Sequence, residues 1–132
     1  MGRATYAEPF AWWGPVWEPP PTRTLQDLLG DGTLTPEIAG LLWGGLARRA
    51  SLIVAAGPRG VGKSTLLSAL IDCYPETDRR LYLRGCYETF AFLDDPTVDP
   101  ATSLLLVNEL SSHLPTYLWG PGVRRLFQAA LQ

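Results

Sequence analysis

An α/β fold around a parallel sheet is what this sequence predicts, and three observations carry that expectation. A short β-branched apolar run, SLIVAA at 51–56, leads through a glycine-rich loop into a segment with a leucine stripe. Another run, SLLLVNEL at 103–110, is as uniformly apolar as a strand inside a parallel sheet must be. Between them, RRLYLRGCYETF supplies a further strand around Leu81–Arg84.

Taken in order, residues 1–23 form an arm that differs in character from the rest. It holds Trp12, Trp13 and Trp17 and five of the chain's 12 prolines. Proline fixes its own φ and biases its predecessor toward extended forms, so the arm is expected to be irregular or polyproline-like. Its indole rings call for burial, either along the chain's own domain or on a neighbouring subunit or further domain. Thr24 then caps a short helix through Leu29, which Gly30 stops. Thr35-Pro36-Glu37 opens a second helix with a hydroxyl cap, a proline at the first position and an acid near the positive helix end. Ile38, Leu41, Leu42 and Leu46 give it an apolar face as far as Arg49, and Gly44-Gly45 leaves room for close packing. After the glycine loop, Leu66, Leu67, Leu70 and Ile71 share one helical face, and Pro75 ends that helix. DDPTVDPA (94–101) reads as a turn-rich loop, and GVRRLFQAALQ begins a C-terminal helix.

The 132 residues suit one domain, and 46% hydrophobic against 18% charged residues allows a real core. A net charge of −2 and a pI near 5.3 give no basic face for nucleic acid, so no nucleic-acid partner is expected. Arg48-Arg49, Arg79-Arg80 and Arg124-Arg125 are separate pairs that read as solvated helix ends or loops. Cys73 and Cys86 match neither a disulfide framework nor a metal motif and are expected to be reduced thiols. With neither a signal-peptide core nor about 20 consecutive apolar residues, the expected location is cytoplasmic.

The loop AAGPRGVGKSTLL (55–67) fits the phosphate-binding pattern G-x-x-x-x-G-K-[ST]. Gly57, Pro58, Arg59, Gly60, Val61, Gly62, Lys63, Ser64 and Thr65 are the expected nucleotide-binding residues. Its glycines permit backbone conformations and close approaches that a side chain would block. Backbone amides at the start of the following helix can then wrap a phosphate. Lys63, the only lysine in the chain, can reach the β- and γ-phosphates, and the Ser64 hydroxyl can ligate Mg²⁺. Thr65 is expected to face the α-phosphate. Hydrolysis further needs carboxylates to hold the metal and orient water. Glu109 is the acid at the end of the 103–110 run, and ligands of parallel sheets lie outside the carboxyl ends of strands, which would bring it beside Ser64. Asn108 stands where many P-loop proteins have a metal-positioning Asp. These features specify the expected fold as a P-loop NTPase (RecA-like) core within 24–132.

Over residues 24–110 the chain resembles the ATPase core of the type II/type IV secretion and pilus-assembly ATPases. The resemblance rests on Gly32, Leu34, Glu37, Leu41, Gly57, Gly62 to Thr65, Leu66, Leu67, Leu70, Pro75 and Arg80. It implies binding of ATP with Mg²⁺ and, in the complete protein, hydrolysis that drives protein export or pilus assembly. A homo-oligomeric, hexameric ring and an inner-membrane platform as partner are implied in the same way. In that family the Walker B run ends in Gly-Glu, so Asn108-Glu109 sits near the pattern. Aligned on the last acid of the family's E-D-x-x-E segment, Glu88 is kept as a catalytic acid that would polarise the lytic water, while Arg84 and Gly85 replace the first two acids. The strand after Walker B and the later histidine segment would follow Gln132, so the core is expected to be incomplete at its C-terminus. His113 follows Walker B directly and reads as a surface or helix-start histidine.

Two other readings stand beside this one. A nucleotide-binding interaction module without turnover would use the tryptophan arm as its docking surface. A small P-loop kinase or other NTPase would recruit Arg79-Arg80 or Arg124-Arg125 as a lid. No base-reading motif separates ATP from GTP.

Overall fold

Hydroxyl caps set the frame of the first helices. In the computed structural model, which describes residues 6–10, 12, 23–55, 62–76, 78–110 and 118–131, Thr24 opens helix α1 (Leu25–Gly30). Thr24 Oγ1 accepts from Asp27 N at 3.1 Å and Asp27 Oδ2 accepts from Thr24 N at 2.9 Å, a reciprocal capping box. These bonds to Thr24 hold the Asp27 carboxyl below its ordinary pKa. Gly30 belongs to the helix, and Asp31 caps it by donating its amide to Asp27 O and Leu29 O. Thr35 then caps α2 (Pro36–Ala47), accepting from Ile38 N at 3.2 Å with Pro36 in the first turn.

The end of α2 is a Schellman motif: Ala50 N donates to Gly45 O and Arg49 N to Leu46 O, both at 2.9 Å. Arg49 occupies the left-handed position there with φ 61°. The face that α2 buries is Ala39 and Leu46 with Leu42 half-buried, one step round from the expected stripe; Ile38 and Leu41 point outward, Leu41 at 78% exposure. Gly44 meets nothing within 4 Å of where a side chain would start, so no close packing depends on it. Helix α3 (Lys63–Ile71) completes this helical unit, which spans Trp13–Glu76. Its core joins Leu28, Leu34, Ala39 and Ala69, with Leu25, Leu42 and Leu66 packed against them.

The run at 51–55 departs from the expected strand. It carries no strand structure, and Ile53 is 73% exposed. Apolar composition suits a residue to a sheet but supplies no hydrogen-bonding neighbour, and the described sheet consists of two other strands.

Those strands lie in a second compact unit formed by residues 1–12 together with 77–132. Strand β1 (Arg79–Tyr82) pairs in parallel with β2 (Ser103–Leu106), Arg79 opposite Ser103 and Tyr82 opposite Leu106. Leu83 N adds a bond to Leu106 O at 3.0 Å, after which Arg84 turns the chain away. The second strand therefore stops short of the expected 103–110, and Leu110 instead bridges Leu118. The crossover between the strands consists of 3₁₀ turns at Gly85–Tyr87, Ala91–Asp94 and Pro100–Thr102 in place of the usual helix. Helix α4 (Pro121–Ala130) sends Val123 and Leu126 into a core with Leu81, Leu83, Phe90, Phe92 and Leu118.

Phe90 has φ 59°, and its ring lies against Gly122 of α4. A side-chain carbon at Gly122 would sit 2.1 Å from Phe90 Cε2, so only glycine admits this approach. The sequence suggests a 1–23 arm and a 24–132 domain; the two compact units part the chain after Trp12 and after Glu76, and Tyr6 and Trp12 belong to the sheet unit. Trp13 and Trp17 lie outside the described residues.

Candidate functional site

The described part of the glycine loop is its end. Gly62 takes φ 92° and ψ 16°, a left-handed conformation that suits glycine, and delivers the chain into α3. Leu66 N closes the first helical bond on Gly62 O at 2.9 Å. The amides of Lys63, Ser64 and Thr65 therefore precede the intrahelical ladder, and Gly62 has no side chain to cap them. No acid stands in the first turn of α3. The positive end of the helix dipole is thus offset by no acid of its own first turn.

Within that turn Lys63 is half-buried, the Ser64 side chain is exposed, and the carbonyl of Thr65 accepts the Ser68 hydroxyl at 3.0 Å. Mg²⁺ takes few protein ligands beside phosphate oxygens and water, so an exposed hydroxyl at Ser64 fits the ligand it would supply. Gly57, Pro58, Arg59, Gly60 and Val61 lie outside the described residues, as does His113. Among the described residues no group of three or more His, Cys, Asp or Glu side chains stands together as a metal site.

The two acids expected to serve hydrolysis lie in the sheet unit. Glu88 follows the first 3₁₀ turn, where its Oε2 accepts from Arg84 N at 2.9 Å and its Oε1 from Phe90 N at 2.8 Å. The carboxylate thereby braces the turn that places the Phe90 ring. Glu109 is half-buried beyond the end of β2. Its neighbour Asn108 donates its side-chain amide to the Trp12 carbonyl. The Trp12 indole, 5% exposed, donates to Leu83 O at 2.9 Å and meets the Tyr82 ring edge-on at 5.0 Å.

Sequence reading missed a second anchor of the arm. The Tyr6 hydroxyl donates to Asp95 Oδ2 at 2.7 Å, and Asp95 Oδ1 accepts from both the amide and the hydroxyl of Thr97. The Thr97 hydroxyl first, and Tyr6 next, pull the Asp95 carboxyl down to about 2. The same bond to Asp95 raises the Tyr6 phenol. The Arg79 guanidinium lies over the Tyr6 ring, 5.2 Å from its centre. The Asp-Pro-Thr spacing within DDPTVDPA was the local signal for this turn; its partner Tyr6 lies too far away in sequence to be read.

Cys73 is a free, half-buried thiol whose pKa is raised by burial and by Asp72. The Cys86 side chain lies outside the described residues. Among the described residues no helix is long and apolar enough to cross a membrane. Comparison of the chain with protein-family models, with curated proteins and with solved structures finds no match to any of them.

Proposed function

We propose that the chain is the Mg·ATP-binding core of a P-loop NTPase, of the kind used in type II/type IV secretion and pilus assembly. One observation supports this above the others: a left-handed Gly62 opens α3 directly onto Lys63 and Ser64, leaving a helix start with neither a side-chain cap nor an acid. A phosphate suits such an end because the amides and the dipole both favour negative charge there. Lys63 would take the β- and γ-phosphates and Ser64 the Mg²⁺, with Gly57 to Val61 completing the loop and Thr65 facing the α-phosphate. Mg²⁺ would neutralise charge on the transferring phosphoryl group. Glu109, with Glu88, would serve hydrolysis in the complete protein, a cytoplasmic ring-forming ATPase acting on an inner-membrane platform.

Calorimetric titration of Mg·ATP into the purified chain, with Lys63→Ala in parallel, tests the reading. Saturable binding lost in the variant is expected; wild-type affinity in Lys63→Ala would remove the loop from the account.

A second reading, nucleotide binding without turnover, draws on the engagement of both Glu88 oxygens by backbone amides. A carboxylate whose two oxygens are engaged in bracing a turn is less available to orient a water. Binding without hydrolysis at high chain concentration would favour it.

A further inference from the structure

At the C-terminal end of α3 an open pocket of about 170 Å³ lies between that helix, the start of α1 and the middle of α2. All three elements belong to the helical unit. Leu25, Trp43, Ala69 and Cys73 give the pocket apolar walls, and Asp72 is the single charged side chain on its lining. Trp43 is 59% exposed, so a ligand can reach its ring without opening the core beneath.

Negative charge at this end is unbalanced. Asp72 caps the helix where the macrodipole is already negative, and no basic residue stands in the last turn. Among the described residues no ion pair involves Asp72. Arg23, next to the pocket in sequence, is engaged by Asp31 and the Asp27 carbonyl. The field of Asp72 reaches the pocket wall, since after burial it is the other cause that raises the pKa of the Cys73 thiol. That thiol donates to Ala69 O at 3.5 Å and adds no charge of its own.

We propose that this pocket binds a small alkylammonium cation, its methylated head against the Trp43 ring and its charge facing Asp72. An indole face attracts a cation through the ring quadrupole. Apolar walls suit methyl groups better than the hydrogen-bonding protons of a bare ammonium ion. The volume matches a head group rather than a drug-sized ligand, whose pockets begin at about 300 Å³. This site is separate from the nucleotide reading and does not depend on it.

The test is a titration of the full chain with choline, followed by the amide chemical shifts of residues 69–73 and the Trp43 indole N–H. The neutral analogue in which carbon replaces the choline nitrogen, and phosphocholine, are titrated in parallel. Expected is saturable choline binding of roughly millimolar affinity. The neutral analogue should bind at least about fivefold more weakly, having lost both the ring and the carboxylate attraction. Phosphocholine should also be weaker, because its phosphate meets Asp72, which separates a free cation from a lipid head group. Trp43→Leu and Asp72→Asn should each weaken choline binding about two- to fivefold. Equal binding of choline and its neutral analogue to the wild-type chain would overturn the proposal without need of a variant. So would an absence of saturable shifts, and tighter binding of phosphocholine would overturn the role given to Asp72.

Discussion

Replacing Gly122 by alanine puts a methyl group into the Phe90 ring. The added carbon would lie 2.1, 2.5 and 2.6 Å from Phe90 Cε2, Cδ2 and Cζ, where carbon–carbon contact normally begins near 3.5 Å. Relief requires the ring to move by roughly 1 Å or more. It has little room to do so: Phe90 is buried, packs 6.3 Å from the Phe92 ring, and has its amide held by Glu88. Overpacking of this severity belongs at the upper end of its usual range, about 3 kcal/mol. Alanine's better helix propensity returns at most about 1 kcal/mol. The net loss should therefore be about 2 kcal/mol or somewhat more, which lowers the urea midpoint by roughly 1 M. Urea titrations followed by circular dichroism on wild type and variant measure it. Gly44→Ala is the control, because open space there leaves only the propensity gain of about 1 kcal/mol. A Gly122→Ala chain as stable as wild type would refute the steric argument.

Two further outcomes follow from local geometry. Arg49→Gly should stabilise the chain by about 0.5–1 kcal/mol in the same titration, since glycine removes the left-handed strain at the end of α2 and gives back part of the gain as unfolded-state entropy. Asp95, held at about 2 in the fold, favours the folded state above its ordinary carboxyl pKa of 3.8. That contribution is complete above about pH 5 and fades as pH falls toward 2. Tyr6→Phe should shrink the fall in stability between those limits; an unchanged acid limb in a pH series of denaturant midpoints would exclude the Tyr6–Asp95 bond as its source.

What could be read from the sequence was local. Thr24, Thr35 and Pro36 announce helix starts because a cap and the amides it satisfies lie within three residues of each other. Gly62 to Thr65 are legible for the same reason, since loop, bend and helix start are consecutive. The buried face of α2 was displaced by one position, because Ile38 and Leu41 share the helical period of the packed stripe, and periodicity does not say which edge meets a neighbour. SLIVAA has the composition of a strand, yet pairing depends on a partner that composition cannot name. The engagement of Glu88 by two amides depends on how the first 3₁₀ turn closes. The fit of Phe90 on Gly122 joins residues from a loop and a helix that no motif connects.

The sheet unit is discontinuous in the chain, and this orders events during synthesis. Tyr6 finds Asp95 across 89 positions and Trp12 finds Asn108 across 96. The helical unit, by contrast, draws its caps and core from one uninterrupted stretch. At ribosomal rates of 5–20 residues per second, the leading aromatic residues wait roughly 5 to 20 s for their partners to emerge. Throughout that interval the nascent chain leaves Tyr6 and Trp12 exposed while the stretch behind them is free to fold.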